Sequence, residues 1–168
     1  MAGIYLHIPF CKTRCIYCDF YSGTNELQIN DFVKAICAES LMRKSEINEP
    51  IKTIYFGGGT PSRLSNRYFQ QIFETIFSLF SVEKDAEITL EANPDDLSEK
   101  YIQLLRELPF NRISIGIQSF DDDELKFLSR RHSSQQAIDA VKRCKKAGFR
   151  NISIDLMYGL PHQTLEVW

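Results

Sequence analysis

The chain has 168 residues, 43% hydrophobic and 25% charged, and its 20 Lys and Arg against 22 Asp and Glu leave a net charge of −2. Those values fit one ordinary globular domain and exclude both a large multidomain machine and a protein that holds nucleic acid by bulk positive charge. No apolar run approaches the roughly 20 residues that span a bilayer, and Met1-Ala2-Gly3-Ile4-Tyr5 lacks the basic and apolar regions of a secretory signal, so a cytoplasmic setting is expected.

In chain order, residues 4–8 read as a first strand, and the loop after it carries Cys11, Cys15 and Cys18. A helix over about 30–47 keeps Phe32, Val33, Ile36, Cys37, Ser40 and Leu41 at helical spacing. A second strand, 51–56, runs into Gly57-Gly58-Gly59-Thr60-Pro61, and Phe69, Ile72, Phe73, Ile76, Phe77 and Phe80 then form the apolar stripe of a second helix. Residues 87–91 are strand-like. Residues 98–108 are helical, with Tyr101, Leu104, Leu105 and Leu108 on one side, and 112–118 form a fourth strand. Asp121-Asp122-Asp123 caps a short helix over 121–128. Ser133 and Gln136, spaced as a capping box, open a longer helix that stops before Gly148. The cations near its end, Lys142, Arg143, Lys145, Lys146 and Arg150, complement its dipole. Residues 151–156 form a fifth strand.

Strict alternation of β and α elements implies right-handed βαβ units and a parallel sheet. The strands also alternate internally. Ile113, Ile115 and Ile117 oppose Ser114, Gly116 and Gln118, while Ile88 and Leu90 oppose Thr89 and Glu91, and Ile152, Ile154 and Leu156 oppose Ser153, Asp155 and Met157. A parallel sheet covered on both faces reads as continuous apolar runs. Here one face is apolar and the other small and polar, as in a curved sheet whose second face lines a wet or ligand-filled lumen. An antiparallel sheet with one solvated face is the alternative, and the intervening helices disfavour it.

Five cysteines are an odd number for a disulfide framework, and three of them fall within residues 11–18. Three thiolates on a polar loop beside Lys12 and Arg14 suit metal ligation, because basic neighbours favour the thiolate. On a cubane they would leave one iron with an open position. By spacing alone, a cluster and a zinc site completed by His7 both stand. Cys37 and Cys144 fall on helices and read as small core residues. The glycine turn is followed by no Lys-Ser/Thr and has no GxGxxG spacing, so a nucleotide phosphate is not its expected ligand. Glu91, Gln118 and Asp155 sit at or near the carboxyl ends of three strands in the inward phase, where β/α barrels and open α/β sheets place their sites. Arg130, Arg131 and His132 lie between two helices from which they reach the same rim or form a solvated turn.

Cys11-x3-Cys15-x2-Cys18 resembles the signature of the radical S-adenosylmethionine (SAM) superfamily, and Tyr5-Leu-His-Ile-Pro-Phe-Cys11, Gly57-Gly-Gly-Thr-Pro61, Ile117-Gln118-Ser-Phe120 and Ile154-Asp155-Leu-Met-Tyr-Gly-Leu-Pro161 resemble the oxygen-independent coproporphyrinogen III oxidase family. The resemblance implies a partial, open β/α barrel of radical-SAM type with about five strands present. It implies a [4Fe-4S] cluster on Cys11, Cys15 and Cys18, with SAM chelating the open iron. Tyr5, Gly58, Gly59, Thr60, Glu91, Gln118, Arg130 and Asp155 match family positions that bind SAM, and Tyr17 matches the aromatic residue inside the cysteine motif. The implied chemistry is one-electron reduction of the SAM sulfonium to methionine and a 5′-deoxyadenosyl radical; no catalytic residue is assigned.

The oxidases proper carry a further cysteine two residues past the third, where this chain has Phe20 after Asp19. Cys18-Asp19-Phe20 resembles instead the HemW branch, haem chaperones that pass haem to acceptor proteins. The expected partners are SAM, haem or a porphyrinogen, a haem-acceptor protein and an electron donor, with haem a further ligand and no nucleic acid favoured. Coproporphyrinogen dehydrogenation, a tRNA-modifying radical-SAM activity and a zinc-binding module are the alternatives. Family members run to roughly twice this length, so residues 1–168 are expected to be the N-terminal part of the barrel, with a C-terminal region missing.

Overall fold

The computed structural model describes residues 2–168. Five strands, β1 (Ala2–Ile8), β2 (Ile51–Gly58), β3 (Val82–Ala92), β4 (Arg112–Gln118) and β5 (Asn151–Leu156), pair in parallel in sequential order. Each connection crosses through a helix: α1 (Ile29–Met42), α2 (Asn66–Leu79), α3 (Glu99–Arg106), then the pair α4 (Asp122–Phe127) and α5 (Ser134–Lys146). This is the expected α/β fold, a partial and open β/α barrel. Among the described residues no helix is long and apolar enough to cross a membrane.

The alternation within the strands settles which face is covered. Leu6, Ile8, Ile54, Phe56, Ile88, Leu90, Ile113, Ile115 and Ile117 are buried under the helices. Phe56 packs against Phe69, Phe73 and Phe110 with ring centroids 5.3–5.5 Å apart. Each such side chain contributes about 1.5–3 kcal/mol on burial, so this outer layer supplies most of the stabilisation. The opposite face is polar. In register across it stand Tyr5, Tyr55, Thr89 and Arg112 at one level, and Glu91, Ser114 and Ser153 at the next. Arg112 donates to Thr89 Oγ1 (3.3 Å) and Ser153 Oγ (3.0 Å), and Ser153 bonds Ser114 at 2.9 Å.

Several boundaries differ from the pattern. α1 stops at Met42, because Arg43 folds back on Glu39 and Glu46, and the chain is extended by Ile47. β3 begins at Val82; the segment 82–86 hides its strand character behind Glu83, Lys84 and Asp85. In α3, Ile102 is buried beside Leu105 although it lies off the expected side, and Ser98 is the N-cap rather than the first helical residue. Phe77 is 44% exposed and stacks on Phe73 instead of entering the core. The capping box of Ser133 and Gln136 forms, and Asp121 caps α4 by accepting from Asp123 and Glu124. Cys144 is fully buried and Cys37 packs beside the core. Residues 165–167 form a turn, with Trp168 N donating to Thr164 O at 3.0 Å. The free side of β5 leaves Ile154 and Leu156 about two-fifths exposed (40% and 38%).

Candidate functional site

The carboxyl ends of the strands surround a cavity of about 290 Å³. Tyr5, Cys11, Cys15, Tyr17, Cys18, Gly58, Gly59, Thr60, Glu91, Gln118, Arg130 and Asp155 all line it. The topology thus brings every expected ligand of cluster or SAM to one place. Arg131 joins them at the rim; His132 is buried behind it, with Nε2 donating to the Ile117 carbonyl at 3.1 Å. Burial, helped by the Arg130 charge, pushes the His132 imidazole down to about 4, so it is neutral at pH 7.

The cysteine loop is closed at its neck. Cys11 N donates to Gly23 O (2.9 Å) and Gly23 N to Pro9 O (2.8 Å). The glycine turn is tied to the same neck, with Gly59 N on Ile8 O (2.8 Å) and Thr60 N on Phe10 O (2.9 Å). Two of its glycines are obligatory. A Cβ on Gly59 would lie 2.9 Å from Ile8 O and 3.1 Å from Cys11 Sγ; one on Gly58, at φ +107°, would strike the His7 ring at 2.7 Å. His7 is itself engaged, with Nε2 donating to Tyr21 O (2.8 Å) and Nδ1 accepting from Tyr5 (3.3 Å). It faces a separate groove beside β1 and does not line the cavity, which removes the fourth ligand from the zinc alternative.

Cys11 is buried, and Cys15 and Cys18 are half-buried. Thr60 donates to Cys11 Sγ at 3.3 Å, and Arg130 to Cys15 Sγ at 3.4 Å and to the Tyr17 hydroxyl at 3.3 Å. Burial pushes the Tyr17 phenol up to about 12 despite the Arg130 charge. Among the described residues no three His, Cys, Asp or Glu side chains converge on one ion position. A cubane asks for something else, three thiolates that each meet a different iron, and these three cysteines on one cavity wall fit that demand. Glycine backbone at the wall, carboxylates opposite, and the buried Arg130 Nε–H without a partner fit a polar, charged ligand beside them.

The carboxylates come from the polar phase of the sheet. Glu91 accepts from Tyr55 at 2.6 Å. Burial holds its carboxyl above the usual range, and Asp155 pushes the same way, while Tyr55, the Gly58 N–H and His7 act against them. Asp155 accepts from Ser114 at 3.4 Å. Gln118 has φ +72°, and the register of β4 on β5 shifts between Gly116 and Gln118. That left-handed turn aims its side chain into the cavity across Gly116, where a Cβ would meet Gln118 Nε2 at 2.9 Å.

Three contributors escaped the sequence reading. Asn93 joins Thr60 to Arg130, Tyr55 supports Glu91, and an ionic belt braces the rim. In the belt Arg63 bridges Glu26 (2.7 Å) and Asp96 (3.3 Å), and Arg131 pairs with Asp95 (2.7 Å). Tyr55 and Asn93 share the inward phase of Gly57 and Glu91, which was the available signal.

A profile described as the radical SAM superfamily matches residues 5–168. The chain is 44% identical over 97% of its length to the "Heme chaperone HemW" of Lactococcus lactis subsp. lactis (strain IL1403), covering 42% of that protein, and 38% identical over 99% of its length to that of Bacillus subtilis (strain 168), covering 45%. It spans less than half the length of these curated relatives. The solved structure of coproporphyrinogen III oxidase (HemN) from Escherichia coli superposes with a TM-score of 0.89 at 28% identity, over 98% of this chain and 39% of that one. Archaeal Methanocaldococcus infernus Elp3, at TM-score 0.63 and 21% identity, shares the fold alone. With the cysteine loop, the glycine turn and the inward carboxylates assembled at one end of a parallel partial barrel, the chain belongs to the radical SAM superfamily.

Proposed function

We propose that this chain is the cofactor-binding part of a HemW-type haem chaperone. It binds a [4Fe-4S] cluster through Cys11, Cys15 and Cys18, and SAM through the cavity beside them. The observation that carries the reading is the common cavity of three thiols, the Gly58–Gly59–Thr60 backbone, and the Glu91, Gln118, Arg130 and Asp155 side chains. When bound, the cluster supplies one electron to the SAM sulfonium.

The chain's own residues hold and orient. Three cysteines take three irons and leave the fourth for SAM. Arg130 presents N–H groups suited to a carboxylate, and Glu91 and Asp155 suit an ammonium group or sugar hydroxyls. Gly58 and Gly59 allow the backbone to approach the ligand, and Tyr5 and Tyr17 supply aromatic walls. Phe20 lines the same cavity where the oxidases proper carry a further cysteine. That substitution, with the HemW relatives, favours haem transfer to an acceptor protein over porphyrinogen chemistry. An electron donor is required for any SAM reduction.

Anaerobic reconstitution with iron and sulfide, followed by EPR or Mössbauer spectroscopy, tests the cluster. The wild type is expected to assemble a cubane and Cys15→Ala to lose it; a variant as well loaded as the wild type overturns the assignment. Haem titration and a coproporphyrinogen III turnover assay separate the branches. Stable haem binding without turnover supports the chaperone. Turnover without stable haem binding favours the oxidase, the second reading, to which the TM-score of 0.89 with HemN lends support.

A further inference from the structure

Asn93 follows β3 at the N-cap of a 3-10 turn (Pro94–Asp96), a position where its side chain ordinarily accepts from the turn's N–H groups. Here it makes no such bond. Its amide faces the cavity and spans two elements. Nδ2 donates to Thr60 Oγ1 at 3.3 Å, and Oδ1 accepts from Arg130 at 2.7 Å. Each of these partners in turn donates to a cysteine sulfur, Thr60 to Cys11 at 3.3 Å and Arg130 to Cys15 at 3.4 Å. Gly116 lies beside this bridge, and a Cβ there would stand at ordinary contact distance from it, 3.5 Å from Arg130 and 3.8 Å from Asn93 Oδ1.

The polarity of the bridge is determined by its chemistry. By taking a proton donor from Asn93, the Thr60 oxygen is left with its own O–H to give, and Cys11 receives it. Together with the Gly116 carbonyl, which accepts from the same Arg130 Nη2, the Asn93 carbonyl holds the guanidinium with its other nitrogen, Nη1, on Cys15. An amide does both at once from two separate atoms, its N–H donating to Thr60 and its oxygen accepting from Arg130. An aspartate would accept from both and draw the Thr60 hydroxyl away from sulfur.

We propose that Asn93 is a positioning residue that raises the reduction potential of the cluster, by holding Thr60 and Arg130 as donors to the Cys11 and Cys15 thiolates. The inference rests on the cluster assignment made above. Reduction adds one electron from the titrant to the oxidised cubane, with no bond made or broken, and so adds one negative charge. Donors on the ligating sulfurs favour that more negative state. Removing them makes the cluster harder to reduce.

The test is an EPR-monitored redox titration of the anaerobically reconstituted chain without SAM, alongside iron and sulfide content. Asn93→Leu and Thr60→Val are each expected to load fully and to lower the potential by about tenfold in equilibrium constant, roughly 59 mV for one electron. Thr60→Ser keeps the hydroxyl and is expected to keep the wild-type potential. The double variant N93L/T60V is expected to shift by less than the sum, because both act through the Thr60 hydroxyl. Asn93→Ala, which adds no apolar bulk, gives the same reading if the Leu variant does not fold. A fully loaded Asn93 variant at the wild-type potential, strict additivity with T60V, or a folded Asn93 variant that loses the cluster overturns the inference. A wild type that assembles no cubane overturns the assignment beneath it, which distinguishes the two failures.

Discussion

Tyr55 on β2 gives its phenolic hydrogen to the Glu91 carboxylate on β3 at 2.6 Å, and Tyr5 stacks on the Tyr55 ring with centroids 6.0 Å apart. The carboxylate that faces the cavity is therefore steered from beneath by a hydrogen bond and an aromatic wall. Its charge is only partly compensated. Burial is the largest influence on it and holds its pKa above the ordinary value.

A carboxyl whose folded-state pKa is raised contributes stability below its unfolded pKa and loses it as pH rises through the folded value. Glu91→Gln, which keeps an acceptor for Tyr55, is accordingly expected to raise the Tm of the unliganded chain at pH 7. The same change is expected to weaken SAM binding by about tenfold or more, since hydrogen bonds to charged groups contribute roughly 1.5–3 kcal/mol. Calorimetric melting and titration with SAM measure the two effects.

His132 has the opposite sense. A histidine held down to about 4 by burial contributes stability above its unfolded pKa of 6.5 and loses it as pH falls between those values. The loss is on the order of 3 kcal/mol across that window. Urea unfolding at a series of pH values is expected to show this slope in the wild type and a flatter one in His132→Gln, whatever the absolute stability of the variant.

Gly58 lies at φ +107° with the His7 ring 2.7 Å from where a Cβ would stand. Gly58→Ala is expected to cost about 1–3 kcal/mol in chemical denaturation. Gly23→Ala, at a site with nothing within 4 Å of the added carbon, is expected to stay within about 0.5 kcal/mol of the wild type.

Asp96 is nearly buried, and it accepts from Ser62 at 2.8 Å and Arg63 at 3.3 Å. Asp96→Ala strands two donors that meet at the cavity rim and is expected to cost about 2 kcal/mol. Asp123→Ala removes only the exposed pair with Lys126 and is expected to cost less than about 0.5 kcal/mol. Equilibrium unfolding of the two variants side by side distinguishes them.

The period-2 alternation of Ile113 to Gln118 and of Ile88 to Glu91 announces the polar face directly, because each strand meets a helix on only one side. The cysteine spacing and the glycine turn are equally legible, being local in sequence. What stayed hidden depends on distant partners. Val82–Ala86 opens β3, with Val82 paired to Ile51 before a register shift, although Glu83, Lys84 and Asp85 give it little strand propensity of its own. The role of Asn93 depends on Thr60 and Arg130, 33 and 37 residues away, which claim its amide. The left-handed backbone of Gln118 follows from the register shift against β5, which no local pattern encodes.

The closed neck of the cysteine loop, where Cys11 meets Gly23 and the glycine turn is tied to Ile8 and Phe10, bears on how the apo chain receives its cofactors. Fixing a residue's backbone costs about 1–2 kcal/mol of conformational entropy, and for both ends of this loop that cost is met when the sheet folds. Iron and sulfide therefore encounter a template and not a disordered coil, and more of their ligation energy remains as affinity. The same readiness leaves Cys15 and Cys18 half-exposed before the metal arrives. Apo protein handled in air will be open to thiol oxidation at these two cysteines sooner than at the deeply buried Cys144.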